Sequence, residues 1–347
     1  MRRLKGLANL LRARIGAPWS VADAATSIDV LEAASVEPFP QPASLPGMTD
    51  RVTGGVPGHN TAAEGLAAMT ATQAEHAPVV RYTLRDCLVH QGGVEFAGGL
   101  WPRTGAWKDR LPLGKIEKVA AGSYCMRPSS WQYFGHWLRD ACPTALLACD
   151  DEELFLDARP DWPDTTSYAS AFGLKTRPPT VASIDTLHVY SDFAQGALKR
   201  RRYATLRDRL RQKMGPANGN LRPVYLSRGT SGARRTIENE GDLCDRLSRA
   251  GFDIIDSPSL DFATRYYKLA CASVVVTIEG SHLNHAYFAM QPGTSLLVLM
   301  PGNRLSPNAR GASHAIGLRF GYVILEAVGA NYLVNPDEVL GTLDLLM

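Results

Sequence analysis

Three stretches of this sequence combine residue types that can do chemistry. The first is Trp131-Gln132-Tyr133-Phe134-Gly135-His136-Trp137-Leu138-Arg139-Asp140. His136 and Asp140 stand four apart, so on one helix they share a face. A carboxylate beside an imidazole orients it and tunes it as a general base. The aromatic residues around the pair offer a platform for sugar rings, or else form an aromatic core segment. The second stretch is Ser227-Arg228, a small-residue loop, then Arg234-Arg235 and Asn239-Glu240. A loop with several guanidinium groups that leads into a helix start is an anion cradle, and a diphosphate is the natural candidate. A solvated loop whose arginines make no specific contact is the bland alternative. The third stretch is Ile278-Glu279-Gly280-Ser281-His282-Leu283-Asn284-His285. Gly280 permits close backbone approach, and Glu279 could bond ribose hydroxyls or act as a base. His282 and His285 have no evident third partner for a metal, so packed or hydrogen-bonded histidines are the favoured reading there.

The elements that must position these residues are clearest in the second half. Strands are expected at 223–227, 252–255, 273–278 and 295–300, and helices at 197–214, 240–250, 260–272 and 282–290. Asn239 and Ser259 are the expected caps of the second and third of these helices. Strict alternation of strand and helix predicts a parallel sheet covered on both faces. Ligands bind such sheets at the carboxyl ends of the strands, where the second and third stretches fall. In the first half, short strands are expected within 78–125 and at 182–189. A helix is expected from Trp137 to about Leu147, bent or ended by Pro143. Residues 36–60, rich in Pro and Gly, read as extended loop.

Bulk properties narrow the function. The 347 residues suffice for two domains, and 45% apolar with 20% charged is a globular balance. A formal charge of +3 argues for no nucleic-acid partner. Six cysteines lack any C-x-x-C pair, so buried free thiols in a reducing, cytoplasmic compartment are expected. No window is long and apolar enough to span a membrane. Residues 1–15 place Leu4, Leu7, Leu11 and Ile15 at helical spacing among five arginines and lysines. That pattern supports a side reading of peripheral contact with an anionic membrane face. Dinucleotide, P-loop and nucleophile-elbow motifs are missing, as is any Asp-x-Asp.

Gly135-His136-Trp137-Leu138-x-Asp140-x-x-Pro143 resembles the "FGHWLLDxLP" motif of family 61 glycosyltransferases. Tyr225-Leu226-Ser227-Arg228 with Arg234-Arg235-x-Ile237-x-Asn239-Glu240 resembles that family's "YLSR…RRxIxNE", and Glu279–Gly293 its "HGAGLTNLLFMPPG". The resemblance covers roughly residues 120 to 305. Two departures stand out: Glu279 replaces the family's turn histidine, and His282 replaces its second glycine.

The resemblance implies an α/β protein of two Rossmann-like domains facing a cleft, in the GT-B-like manner. It implies inverting transfer from a nucleotide-sugar, usually a UDP-sugar, to a glycan or other hydroxyl acceptor of the capsular or surface-polysaccharide kind. The expected organisation is an extension at 1–75, an acceptor-side domain at 76–200, a nucleotide-sugar domain at 201–325, and a C-terminal helix at 326–347 that packs back on the acceptor side. Arg228, Arg235, Asn239, Gly280, Ser281, His282 and Asn284 are the expected donor-binding residues, and Trp131, Tyr133 and Trp137 the acceptor platform. Asp140 is the expected base, with His136 its partner or the alternative base and Glu279 the third candidate. The arginines are expected to stand in for a metal, and no cofactor is implied beyond the nucleotide-sugar itself. A catalytically silent glycan- or nucleotide-binding protein of the same fold is the rival reading. A homo-oligomer and a position at the inner membrane face stay open.

Overall fold

The computed structural model describes residues 20–90, 93–97, 99–102, 115–157, 159, 161–162, 164–177, 181–217, 219–229 and 235–346. The basic stretch 1–15 and Arg234 therefore lie outside the described residues. The chain divides into two compact units: residues up to Ser35 with His76–Ala194, and Val36–Glu75 with Gln195–Met347. Among the described residues no helix is long and apolar enough to cross a membrane.

In chain order the strands are β1 (Ser27–Glu32), β2 (Ser35–Pro38), β3 (Gln73–His76), β4 (Val79–His90), β5 (Gly93–Phe96), β6 (Gly99–Pro102), β7 (Glu117–Tyr124), β8 (Glu153–Phe155) and β9 (Ala182–Ser191). They continue as β10 (Arg222–Ser227), β11 (Asp253–Asp256), β12 (Ala272–Ile278), β13 (Ser295–Pro301), β14 (Arg319–Val328) and β15 (Asn331–Leu333). The first unit is built on a sheet ordered β6-β5-β4-β9-β7-β8, with β1 also on β4. Its pairs β4/β9 and β4/β5 are antiparallel, while β7 runs parallel to β8 and β9. This mixed sheet departs from the doubly wound parallel pattern expected of a Rossmann-like first domain. The physical difference is in the connections: β4 to β5 is a tight hairpin, which needs no crossover helix.

The second unit carries the expected parallel sheet, ordered β11-β10-β12-β13-β14, closed at one edge by antiparallel β15. Its core strands explain the continuous apolar runs in the sequence: every residue of β13 is buried, as are Val274–Ile278 of β12. Helices Glu240–Arg249, Phe262–Ala270, Asn284–Ala289 and Asn308–Ile316 connect successive strands. The chain leaves β10 for β11 on one side and returns past it to β12 on the other. The winding therefore reverses between β10 and β12, and such a reversal opens a crevice at the strands' carboxyl ends.

Residues 36–75 are no separate extension. Arg310, 2% exposed, ties them to the second unit by donating to the carbonyls of Ala68, Pro40 and Ala71 at 2.8, 2.8 and 2.7 Å. The C-terminal helix Pro336–Asp344 also belongs to the second unit, with Val339 and Leu343 buried in it. This replaces the expectation that it packs on the acceptor side. The six cysteines are free, but only Cys87, Cys125 and Cys142 are buried; Cys149 is exposed.

Candidate functional site

In the first unit, a helical run spans Pro128–Gln132, Phe134–His136 and Cys142–Ala145, with a π-turn at Trp137–Ala141 between the last two. Pro143 does not end the run. It has no N–H for the Arg139 carbonyl, and just before it the ladder widens so that Cys142 donates to Trp137. Across this widened turn His136 Nδ1 lies 2.6 Å from Asp140 Oδ2. Arg139 Nε donates to Asp140 Oδ1 at 3.2 Å, and its Nη2 lies 3.3 Å from Oδ2 and 3.2 Å from His136 Nδ1. Thr144 Oγ1 fixes the Asp140 backbone through its carbonyl at 2.8 Å.

The contact to a carboxylate places the proton on Nδ1, so the Nε2 lone pair of His136 is the basic atom. Both oxygens of Asp140 are engaged, an arrangement suited to a carboxylate that orients the imidazole; the sequence alone puts Asp140 first as the base.

The aromatic platform is mostly core. Trp137 is fully buried and its Nε1 donates to the Asp157 carbonyl at 2.7 Å. Phe134 packs on Trp137, Trp162 and Tyr168. Trp131 is 7% exposed. Buried indoles cannot stack on a sugar, so Trp131 and Trp137 are corrected to packing residues. Tyr133 is 42% exposed, with its ring centroid 5.8 Å from that of His136. Phe193, 69% exposed with the Arg127 guanidinium over its ring, is an aromatic that sequence reasoning missed.

In the second unit, β10 and β12 are adjacent, so Arg228 and the Glu279–Asn284 turn leave the sheet side by side. Gly229, with φ of +61°, makes the left-handed bend after Arg228, and a side chain there would strike Pro258. Arg228 Nη1 and Arg235 Nη1 both donate to the Glu279 carbonyl, at 3.2 and 2.6 Å. Arg235 Nη1 also reaches Glu279 Oε2 at 2.7 Å, and Arg304 Nη1 approaches the same oxygen at 3.2 Å. Three guanidinium groups thus converge on one residue, Arg235 and Arg304 on the Glu279 carboxylate and Arg228, with Arg235, on its carbonyl. Burial, then the charge of Arg235, lowers Arg228 to about 10, with Arg304 acting in the same direction and Glu279 opposing it. Such a cluster carries surplus positive charge in a partly desolvated place, which suits an anion with more than one charge.

Gly280 is there for space. A Cβ on it would lie 2.5 Å from Arg228 Nη1 and 3.0 Å from His282 Nδ1. His282 is buried and bonded to Thr277 Oγ1 at 2.8 Å, and burial followed by Arg228 and Arg235 pushes it down to about 3. His285 is turned away to Arg265, 3.2 Å from Nη1, so the two histidines form no metal pair. Among the described residues no group of three or more His, Cys, Asp or Glu side chains could hold a metal ion.

Three expectations need correction. The Asn239 amide is spent on Val334, donating to its carbonyl at 2.8 Å and accepting from its N–H at 3.1 Å. It neither caps the helix nor faces a ligand; it seams the loop to the chain after β15. Ser259 is no cap either, because Asp261 accepts from the Thr264 N–H at 2.9 Å and starts the helix at Phe262. Glu279, expected as a third base, instead holds arginines. Arg304 was missed, since it lies past β13 with no motif around it, and only the fold brings it to Glu279.

Residues 134–297 match the protein-family model described as Glycosyltransferase 61, which makes the protein a glycosyltransferase. The matched stretch takes in the His136–Asp140 pair, Arg228, Arg235 and the Glu279–Asn284 turn, and ends before Arg304. No curated protein matches the chain.

Proposed function

We propose that this glycosyltransferase transfers a sugar from a nucleotide-sugar, a UDP-sugar being favoured, to a hydroxyl of a glycan acceptor with inversion and without a metal. The observation that carries the reading is the convergence of Arg228, Arg235 and Arg304 on Glu279 at the reversal between β10 and β12. A diphosphate needs donors that stay charged as its leaving bond breaks, and guanidinium groups supply them without a cation.

Two constellations, each within one unit, divide the work. The arginines and the 280–284 turn hold the donor. His136 Nε2 takes the proton of the acceptor hydroxyl as its oxygen attacks the anomeric carbon. The new C–O bond forms as the bond to the diphosphate oxygen breaks, and one displacement inverts the centre. Asp140 keeps the proton on Nδ1 and stabilises the imidazolium that results. The GT-B-like reading is supported by the doubly wound second unit. A cytoplasmic position against an anionic membrane face rests on the sequence of residues 1–15, and flotation with anionic vesicles tests it.

A thermal-shift screen against UDP, GDP, CMP and their sugar conjugates tests donor class, followed by transfer in excess chelator. A shift with one nucleotide, absent in Arg228→Ala, with transfer surviving chelation, is the expected result. Loss of transfer in chelator that manganese restores would sink the metal-free mechanism.

A further inference from the structure

The arginines explain how the site could hold phosphates, but two other atoms in the same turn remain unaccounted for. His282 Nδ1 and Asn284 Oδ1 are buried and have no hydrogen-bond partner among the described residues. Both residues are more than nine-tenths buried, His282 at 7% and Asn284 at 4% exposure. A buried polar atom without a partner costs about 1–3 kcal/mol, so a pair of them in one turn calls for a reason.

The chemistry of each atom follows from its neighbours. Thr277 Oγ1 donates its one proton to the Leu226 carbonyl at 2.7 Å. The same oxygen lies 2.8 Å from His282 Nε2, so the imidazole must be the donor in that contact. The proton of the neutral ring is therefore on Nε2, and Nδ1 presents a lone pair. The Asn284 amide is fixed the same way: its Nδ2 donates to the Ser281 carbonyl at 2.9 Å, leaving Oδ1 as the acceptor. Both orphan atoms are acceptors. An all-phosphate ligand, which also only accepts at its ionised oxygens, satisfies neither.

We propose that His282 Nδ1 is a specificity-determining acceptor that takes a hydrogen bond from a hydroxyl carried on the same molecule as the arginine-bound diphosphate. This rests on the nucleotide-sugar reading above and narrows it to a ligand that brings hydroxyl donors next to its phosphates. The hydroxyl belongs to the ribose or to the transferred sugar. Arg228 Nη1 fills the space over Gly280 that His282 Nδ1 faces. Its bond to the Glu279 carbonyl is long, at 3.2 Å. A diphosphate that draws Arg228 outward uncovers Nδ1 for the hydroxyl, and Asn284 Oδ1 is the second acceptor within the turn.

Calorimetric binding of inorganic pyrophosphate, UDP, 2′,3′-dideoxy-UDP and UDP-glucose to the full chain tests the idea without relying on any variant. If UDP proves not to be the nucleotide, the same series is run with the one that gives a thermal shift. A dideoxy compound at least tenfold weaker than its parent supports the proposal with the ribose as source. Equal binding of those two, with the sugar conjugate at least tenfold tighter than the diphosphate, supports it with the sugar as source. His282→Asn, which keeps an acceptor near Nδ1, should retain the preference, and His282→Leu should lose it while pyrophosphate binds as before. Pyrophosphate and all the hydroxyl-bearing compounds binding alike would overturn the proposal and leave the anion site standing. Failure of every compound, pyrophosphate included, would overturn the anion site and this inference together.

Discussion

Arg235 holds Glu279 twice, its Nη1 donating to the carbonyl oxygen at 2.6 Å and to Oε2 at 2.7 Å. The side chain and the main chain of one residue are thereby tied to one guanidinium. Arg304 Nη1 shares Oε2 at 3.2 Å. A carboxylate in that position does for the arginines what a phosphate would do: it keeps like charges close together and pointed the same way.

Glu279→Gln should therefore separate charge from order. Removing the anion raises the net positive charge of the cluster, so pyrophosphate should bind more tightly, by about three- to tenfold. Loosened arginines should at the same time lower kcat with the full donor. Calorimetry and steady-state rates on the same preparation read both effects. Weaker pyrophosphate binding in the variant would show that Glu279 contributes to the anion site in some other way.

Gly280→Ala tests the close packing beside it. The added methyl meets Arg228 Nη1 at 2.5 Å and His282 Nδ1 at 3.0 Å, and the first of these is the end of a flexible side chain. The chain should fold, with Tm within a few degrees of wild type, because a guanidinium can swing away at little cost. Donor affinity should fall about tenfold or more, the worth of one charge-assisted hydrogen bond. A large drop in Tm with unchanged affinity would refute this account of the glycine.

For the base, His136→Ala should lower kcat by about 10²- to 10⁴-fold with little change in donor affinity. Asp140→Asn removes the acceptor of the Nδ1 proton, frees the ring to take the other tautomer, and should cost a comparable factor. If Asp140→Asn were severe and His136→Ala mild, the carboxylate rather than the imidazole would be the base.

The parts of this molecule that were legible in its sequence are those set by local pattern. The helix Ala197–Met214 ends where Gly215-Pro216 ends it, and β10 to β13 fall where the apolar runs stand. Arg228 and the Glu279 turn were singled out because a parallel sheet puts its loops at one end. What could not be read depends on distant partners. Arg310 captures residues 36–75 through carbonyls more than two hundred positions away, and Asn239 is pinned by Val334. Trp137 looks the same in sequence whether it stacks on a sugar or on Phe134; only its burial decides.

That distinction can be measured. Trp137→Ala should destabilise the protein by about 3–5 kcal/mol, since it empties a core site and strips the Asp157 carbonyl of its donor. Tyr133→Ala, at an exposed ring, should leave the urea midpoint nearly unchanged and raise the acceptor KM several-fold. A raised acceptor KM in a stable Trp137→Phe protein, with no effect at Tyr133, would restore the platform to the buried residue.

The histidines of the donor turn give stability a defined dependence on pH. His282 lies at about 3 in the folded chain against an ordinary 6.5, and His285 is also well below its usual range, both chiefly by burial. Above pH 6.5 each ring is neutral folded or unfolded, and its contribution is fully present. As pH falls from 6.5 toward 3, the unfolded chain takes up a proton that the folded His282 refuses. Stability then drops by at most about 1.4 kcal/mol per pH unit for this group. Urea midpoints should fall between pH 7 and pH 5, and His282→Asn, which cannot titrate, should fall less. A midpoint that rises toward pH 5, or a variant with the slope of wild type, would mean that His282 is protonated in the folded protein. Its Nδ1 would then carry a proton and could accept no hydrogen bond from a hydroxyl.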